Sequence, residues 1–274
     1  MSELPILEIT SRSPLTLGLR ESWSYRELLW FLTWRDLKVR YKQTLLGVLW
    51  AILQPVGLMF VLTIFLGRLA HMPSNGVTYA VFVLAGLLPW QLFAHAMNES
   101  SNSLVANERL ITKVYFPRAI IPAAPVLAAL VDFTVGLVVL LLLVPLYRVP
   151  IAASIVFAPL FVILAMLAAF GVSLWLSALN VQYRDVRYVL GFLTQLWMFV
   201  SPVVYAAALV PPRWRVLYGL NPMAGVIEGF RWSIIGGPAP ATSLIVSSVV
   251  AIVLIVVSGL TYFHRVEDAF ADVI

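Results

Sequence analysis

Apolar residues run along this chain in long blocks, and charged residues are confined to the gaps between them. No Asp, Glu, Lys or Arg occurs between Lys42 and Arg68, between Arg68 and Glu99, or between Arg148 and Arg184. Roughly 20 apolar residues carry a helix across a bilayer. Six segments reach that length: about 44–67, 78–98, 119–146, 152–179, 188–208 and 242–263. The third contains a single charge, Asp132. The pattern predicts an all-α integral membrane protein with six transmembrane helices, and an even number of spans puts both termini on one side.

Three other segments are neither spans nor tight turns. In Ser22–Lys42, Trp30, Trp34, Leu37 and Tyr41 recur at helical spacing, with Arg35, Lys38 and Lys42 among them. That pattern predicts an N-terminal amphipathic helix lying on the membrane surface. A plain anchor before the first span is the alternative. Glu99–Pro117 is polar and long enough for a short helix. Pro211–Pro240 is broken at Pro211-Pro212, Asn221-Pro222 and Gly236-Gly237-Pro238, with Trp214, Tyr218, Phe230 and Trp232 between the breaks. It is too polar to span and too apolar for a free loop. Two short helices broken at Asn221-Pro222, dipping back into the outer leaflet, fit both properties. Such backbone is tolerated at membrane depth only against protein or a water-filled cavity. The segment is expected to line or cap a pathway, with an exposed loop as the alternative. No internal repeat of useful strength relates the two halves, so the inverted-repeat logic of secondary transporters finds no support.

Composition agrees with the pattern. The chain is 61% hydrophobic and 11% charged, against about 25% charged in soluble domains. Its surface needs lipid to cover it. Of the 18 Lys and Arg residues, 13 fall in the gaps that share a side with the N-terminus and 5 (Arg68, Arg148, Arg213, Arg215 and Arg231) on the other. Both termini are therefore expected to be cytoplasmic. The same bias accounts for the net charge of +5 without a nucleic-acid partner. Cysteine is absent, and His71, His95 and His264 are far apart in sequence. Neither a disulfide framework, a thiol nucleophile nor a metal site is expected. Residues 1–22 lack the apolar core of a signal peptide.

The candidate chemistry lies at the membrane faces and in the first span. Arg35, Lys38, Arg40 and Lys42 form a basic cluster beside Tyr41, suited to anionic headgroups. Gln54-Pro55 puts a polar break inside the first span, and Gln needs a partner there. Trp50, Phe60, Trp90, Phe93, Trp197, Phe199 and Tyr205 lie on the first, second and fifth spans. As a set they suit a path for sugar rings; individually they suit ordinary contact with lipid. Asp132 is expected to make a hydrogen-bonded packing contact rather than to relay protons. Asn107–Arg118 mixes Glu108, Arg109, Lys113 and Arg118 with Leu110, Ile111, Val114, Tyr115 and Phe116. That mixture fits docking into a groove on a partner, or a hairpin packed on the chain's own face. The chain has no Gly-x-x-x-x-Gly-Lys-Ser/Thr phosphate loop, so any ATP-driven work needs an ATPase on another chain. Acidic and His residues do not cluster at one face, which leaves a polytopic membrane enzyme as a distant alternative.

The run Arg40-Tyr-Lys-Gln-Thr-Leu-Leu-Gly-Val-Leu-Trp-Ala-Ile-Leu-Gln-Pro55 resembles the first-span signature of ABC-2 type permeases that export polysaccharides. Gly86-Leu-Leu-Pro-Trp90, Asn107–Arg118 and Asn221-Pro222 resemble the same family. The similarity covers about 25–265 and is greatest to O-antigen exporters, with teichoic-acid permeases close by. Related capsule permeases tend to carry Glu-Pro where this chain has Gln54-Pro55.

The resemblance implies a homodimer in the bacterial inner membrane, two copies of a separate ABC ATPase carrying ATP and Mg, and a glycan on undecaprenyl diphosphate. An exporter of teichoic acid, a drug or a small lipid is the alternative. It implies a division into 1–43 (cytoplasmic N-terminus with an interface helix), 44–264 (six-helix domain) and 265–274 (cytoplasmic tail). Within the domain it implies an ATPase-coupling helix at about 100–117, carrying Asn107, Glu108, Arg109, Lys113, Tyr115, Phe116 and Arg118. It also implies re-entrant outer gate helices at about 211–237, between spans five and six, carrying Trp214, Tyr218, Asn221, Glu228, Phe230 and Arg231. Arg35, Lys38, Arg40, Tyr41 and Lys42 would meet the lipid diphosphate. Trp50, Gln54, Phe60, Trp90, Phe93, Trp197, Phe199 and Tyr205 would line the channel. No catalytic residue and no cofactor of its own are implied.

Overall fold

The computed structural model describes residues 23–42, 47, 49–183, 185–267 and 270. Positions 44–46 and 48 of the expected first span, and 268, 269 and 271–274 of the expected tail, lie outside the described residues. Among the described residues the regular structure is helical throughout. Helix α1 is Arg26–Lys42. Helix α2, Leu49–Leu62, runs on through a π-helical stretch at Thr63–Leu69. Helix α3 is Tyr79–Ala106, α4 Glu108–Lys113 and α5 Ile120–Leu146. Helix α6, Ala158–Gln182, follows a 3₁₀ turn at Ala153–Phe157. Then come α7 (Val186–Val200), α8 (Arg215–Tyr218), α9 (Pro222–Ile235) and α10 (Thr242–Val266).

Among the described residues, five stretches are long and apolar enough to cross a membrane: Leu49–Leu69, Tyr79–Ala106, Ile120–Leu146, Ala153–Gln182 and Thr242–Val266. Helix α3 is the hub. It is 83% buried along its apolar stretch, against 17–33% for the other four, yet it is the least apolar of the five. Lipid demands apolar side chains all round a peripheral helix. A central helix answers instead to its neighbours' shapes, where small residues allow close approach. Helix α6 meets α3 with Ala165, Ala168 and Ala169, all fully buried. On its other side α6 crosses α10 at Gly171 and Gly259, where a Cβ on Gly259 would lie 2.7 Å from the Gly171 carbonyl oxygen.

Two expected elements change shape. The expected fifth span, 188–208, has 15 residues of helix, Val186–Val200. That is roughly 22 Å at 1.5 Å per residue, short of a hydrocarbon core of about 30 Å. Ser201 is extended because it precedes Pro202, and a residue before proline is pushed out of the helical region. The chain from Ser201 to Ala207 is non-helical until a 3₁₀ turn begins at Ala207, yet it is largely buried. The second change is at α3, which continues to Ala106 instead of stopping near 98. Its polar end stays helical because Asn98, Ser101 and Ser103 bond back to carbonyls three or four residues earlier. The expected coupling helix at about 100–117 thus contracts to the six residues of α4, with 100–106 belonging to α3.

The buried, non-helical Ser201–Ala207 stretch is held by side chains of α3 and α9. Arg231 donates to the carbonyl oxygens of Pro202 (2.7 Å), Val203 (2.9 Å) and Phe82 (3.2 Å) and to Glu228 (2.8 Å). Its guanidinium also lies 3.9 Å from the centre of the Phe82 ring. Tyr79 donates to the Val204 carbonyl oxygen at 2.7 Å, and Glu228 accepts from the Ala207 amide at 2.6 Å. Arg231 is only 2% exposed, so its removal strands a buried carboxylate and leaves backbone oxygens without these donors. We expect Arg231→Ala to destabilise the protein by about 3–5 kcal/mol, measured as a lowered unfolding midpoint in detergent. Glu228→Gln, which keeps the shape, should cost less. A wild-type midpoint for Arg231→Ala would show that the network is dispensable.

Candidate functional site

Helix α1 packs across α5. Leu32 and Thr33 are buried there, and Leu28 and Leu29 flank them against Ile120 and Ala124. Trp30 and Trp34, on the face expected to meet the membrane, are turned outward. The two rings stack on each other 6.4 Å apart, and Lys38 lies 5.6 Å from the Trp34 ring. The contact with α5 is made by a leucine stripe that the aromatic spacing concealed.

The far end of α1 reaches over the membrane-length helices. Arg40 and the Tyr41 hydroxyl both bond to Asp132 of α5, Arg40 to Oδ2 and Tyr41 to Oδ1. His95 of α3 is on the same carboxylate's other flank, with Nε2 3.8 Å from Oδ2. Asp132 therefore has ionisable neighbours, which the sequence reading had not placed near it. Arg40, expected to face lipid phosphate, is engaged inside the protein. Burial, and then the bond to Asp132, pushes the Tyr41 phenol well above its ordinary value, so the hydroxyl remains a donor.

These four residues share a cavity of about 530 Å³ with Trp50, Gln54, Trp90 and Gln91. The cavity lies between α2, α3 and α5, under the end of α1, with Met198 of α7 at its edge. Apolar and aromatic walls with a few convergent polar groups are the usual make-up of a small-molecule site. Ionisable groups among membrane-spanning helices mark functional pathways by default. The arrangement can bind an anion at Arg40 and Tyr41 and offer amide and indole groups beside it.

The aromatic set expected along a channel divides in two. Trp50, Phe60 and Phe199 are exposed, as is the side chain of Gln54. Trp90, Phe93 and Trp197 form a packed cluster, with Phe93 and Trp197 centroids 5.0 Å apart and Trp90 and Phe93 5.6 Å apart. Phe93 is fully buried and lines nothing. Trp197 donates to the Asn221 side chain at 3.0 Å. Tyr205 is bonded to the Val200 carbonyl and to the Tyr218 hydroxyl, at 3.1 and 2.9 Å.

The expected gate residues divide in the same way. Asn221 caps α9: its side chain accepts from the Met223 amide at 3.1 Å and donates to the Ser201 hydroxyl at 2.9 Å. Pro222 follows as the first residue of α9, where its missing N–H costs nothing. Phe230 is fully buried against Phe133. With Glu228 and Arg231 it belongs to the core, and none of the three is free to close over a pathway. Trp214 is exposed with Arg213 over its ring, and Arg215 donates to the Val210 carbonyl. Burial, followed by the bond to Tyr205, raises the Tyr218 phenol.

At the expected coupling element, Glu108, Arg109 and Lys113 are exposed and Tyr115 is 59% exposed. Phe116 is 4% exposed and packs in a cluster with Leu104, Ile111, Phe263 and Phe270. It anchors the loop and is not available for docking. Arg118 is half-buried. Asn107, at the joint between α3 and α4, accepts from Arg35 at 2.7 Å. That bond links α1 to the α4 loop.

A family model described as ABC-2 type transporter matches residues 27–235. The chain belongs to the ABC-2 type transporter family. It is a multi-pass membrane protein. It is 31% identical over 249 residues to the O-antigen export system permease protein RfbA of Klebsiella pneumoniae, covering 90% of this chain and 95% of that protein. It is 29% identical over 256 residues to the protein of the same name from Myxococcus xanthus, covering 92% and 97%. The polysialic acid transport protein KpsM of Escherichia coli is 24% identical over 204 residues, 74% of this chain and 79% of that protein.

The geometry at the α4 loop of this ABC-2 transporter gives a direct test, because the native chain has no cysteine. Single cysteines at Arg109, Lys113 and Tyr115 should react with a water-soluble maleimide in detergent, while cysteines at Ile111 and Phe116 should not. Equal labelling at all five positions would mean that the loop does not pack as described.

Proposed function

We propose that this chain is the membrane subunit of an ATP-driven exporter of a lipid-linked polysaccharide of the O-antigen kind. Near end-to-end similarity to O-antigen export permeases from two organisms carries this reading. The cavity supports it, because a basic and phenolic end beside indole and amide groups suits a diphosphate followed by sugar. In this reading the glycan is carried on undecaprenyl diphosphate. The chain works as a homodimer in the bacterial inner membrane with both termini cytoplasmic. Two copies of a separate ABC ATPase bind ATP and Mg and supply the energy. The weaker similarity to a polysialic acid transporter keeps export of an acidic polysaccharide as the second reading.

The parts take roles accordingly. Helix α1 lies at the cytoplasmic membrane face and receives the lipid diphosphate, with Lys38 and Lys42 adding attraction of about 1 kcal/mol each near an anionic leaflet, while the Arg35 charge is paired with Asp36 at 2.8 Å. The exposed side of α4, with Glu108, Arg109, Lys113 and Tyr115, docks the ATPase. The Arg35–Asn107 bond ties the two together. On the outer side α9 is fixed, and the exposed stretch Pro211–Tyr218 supplies any gating motion. The exposed apolar faces of α2 and α7, with Trp50, Phe60, Phe192 and Phe199, meet the second copy and the passing glycan.

Deleting the gene in its native cell should remove surface polysaccharide and accumulate lipid-linked glycan inside, read by gel and by mass spectrometry of lipid extracts. Surface polysaccharide left intact would overturn the reading. A second expectation concerns coupling. Replacing Glu108, Arg109 and Tyr115 together with Ala should abolish export while the chain still inserts and dimerises. Normal export from that variant would remove α4 from the ATPase interface.

A further inference from the structure

We propose that Asp132 is a built-in stand-in for the substrate's anion, an internal competitor that makes Arg40 and Tyr41 selective for a diphosphate over the singly charged headgroups of the surrounding bilayer. The proposal rests on the reading above that the end of α1 receives a lipid-linked diphosphate. Arg40 and Tyr41 engage the carboxylate on separate oxygens. Two adjacent donors on two oxygens of one anion is also how a guanidinium and its neighbour would hold a phosphate. The ligand has room to arrive, because all three residues wall the 530 Å³ cavity.

His95 is the second part of the device. Its Nε2 is buried and makes no hydrogen bond. It lies 3.8 Å from Asp132 Oδ2, about 0.6 Å beyond hydrogen-bond range. A small rotation of the carboxylate would bring it onto His95. Breaking a partly buried ion pair is costly when it leaves one charge alone. Here an incoming diphosphate takes Arg40 and Tyr41 while Asp132 moves to His95, whose ring N–H replaces part of the hydrogen bonding that the carboxylate gives up. A phosphodiester headgroup carries one negative charge, as the carboxylate does, and gains little by the exchange. A diphosphate carries at least two. Specificity then comes from a competitor the wrong ligand cannot displace, which is selection against alternatives rather than added attraction.

The test is equilibrium binding to the full chain in phosphatidylcholine nanodiscs. The probes are geranylgeranyl diphosphate, the methyl ester of geranylgeranyl monophosphate (a phosphodiester with one negative charge, like a bilayer headgroup) and inorganic pyrophosphate. The wild type should prefer the diphosphate lipid over the phosphodiester lipid by about fivefold or more, the range of ordinary coupling between competing states. Asp132→Asn, which keeps the shape and loses the charge, should tighten phosphodiester binding by a similar factor and shrink the preference. His95→Ala should weaken diphosphate binding in the wild type but not in the Asp132→Asn background, because the relocation partner matters only while the competitor is present. An Asp132→Asn variant that binds both lipids as the wild type does, or more weakly, overturns the exchange. Arg40→Gln that binds like the wild type would overturn the underlying diphosphate reading. Pyrophosphate competing as well as the diphosphate lipid supports the exchange with the free anion as ligand; failure to compete assigns it to the lipid.

Discussion

The structure depends on one constraint: backbone that leaves a helix inside a membrane protein must find its hydrogen bonds within the protein. The chain meets this constraint at Ser201–Ala207, where α7 has ended and the next element has not begun. Arg231 and Tyr79 supply the donors, and Glu228 accepts the Ala207 amide. Pro202 stops α7, and this small network then fixes two things at once: how α9 lies against α3, and how closely α3 approaches. A Cβ on Gly86 would stand 2.3 Å from Arg231 Nη2, so the guanidinium fits only because α3 carries glycine at that point. Ser248 extends the same logic to α10, accepting from the Gly225 amide and donating toward the Gly219 carbonyl.

With that half of the molecule fixed, the other end is free to carry function. Helix α1 is attached at two places of different character. Its leucine stripe holds it to α5 through apolar contact, which no anion can disturb. Its last turn is held by the Asp132 bonds, which an anion can exchange. Between them Arg35 reaches Asn107 at the α3–α4 joint. A change at the end of α1 therefore has a short physical route to the exposed face of α4. The route runs back along the helix from Arg40 to Arg35 and crosses one side-chain hydrogen bond, Arg35 to Asn107.

Much of the architecture was legible in the sequence. Apolar runs with few or no charges marked all five membrane-length helices found among the described residues, because lipid tolerates few charges; the ends agree within a few residues except at α3, which runs eight residues further, to Ala106. Asn221-Pro222 marked the start of α9 because a capping side chain followed by proline has a specific physical use there. The errors have equally specific causes. Pro202 was inside the expected fifth span and was passed over because the surrounding residues are apolar. The serines and asparagines after Ala96 read as a polar gap leading to a separate short helix, yet they satisfy themselves within α3 and continue it. Burial was the least legible property. Phe93, Phe116, Phe230 and Arg231 look like candidates for a surface role by residue type, and all four are core. The Asp132 partners were invisible because Arg40 and Tyr41 lie more than ninety positions away in sequence.

Two ion pairs in this molecule show why residue type alone does not decide role. Arg231–Glu228 and Arg40–Asp132 are both Arg–carboxylate contacts among apolar helices. The first is nearly closed: its side-chain exposures are 3% and 13%, and backbone carbonyls take the remaining donors of Arg231. Its effect is on shape. The second has side-chain exposures of 25% and 27%, walls a cavity, and has a histidine within reach of its carboxylate. Its carboxylate has a second hydrogen-bond partner to turn to when a ligand takes the first. Access and a spare partner, rather than the pair itself, separate a rivet from a binding site.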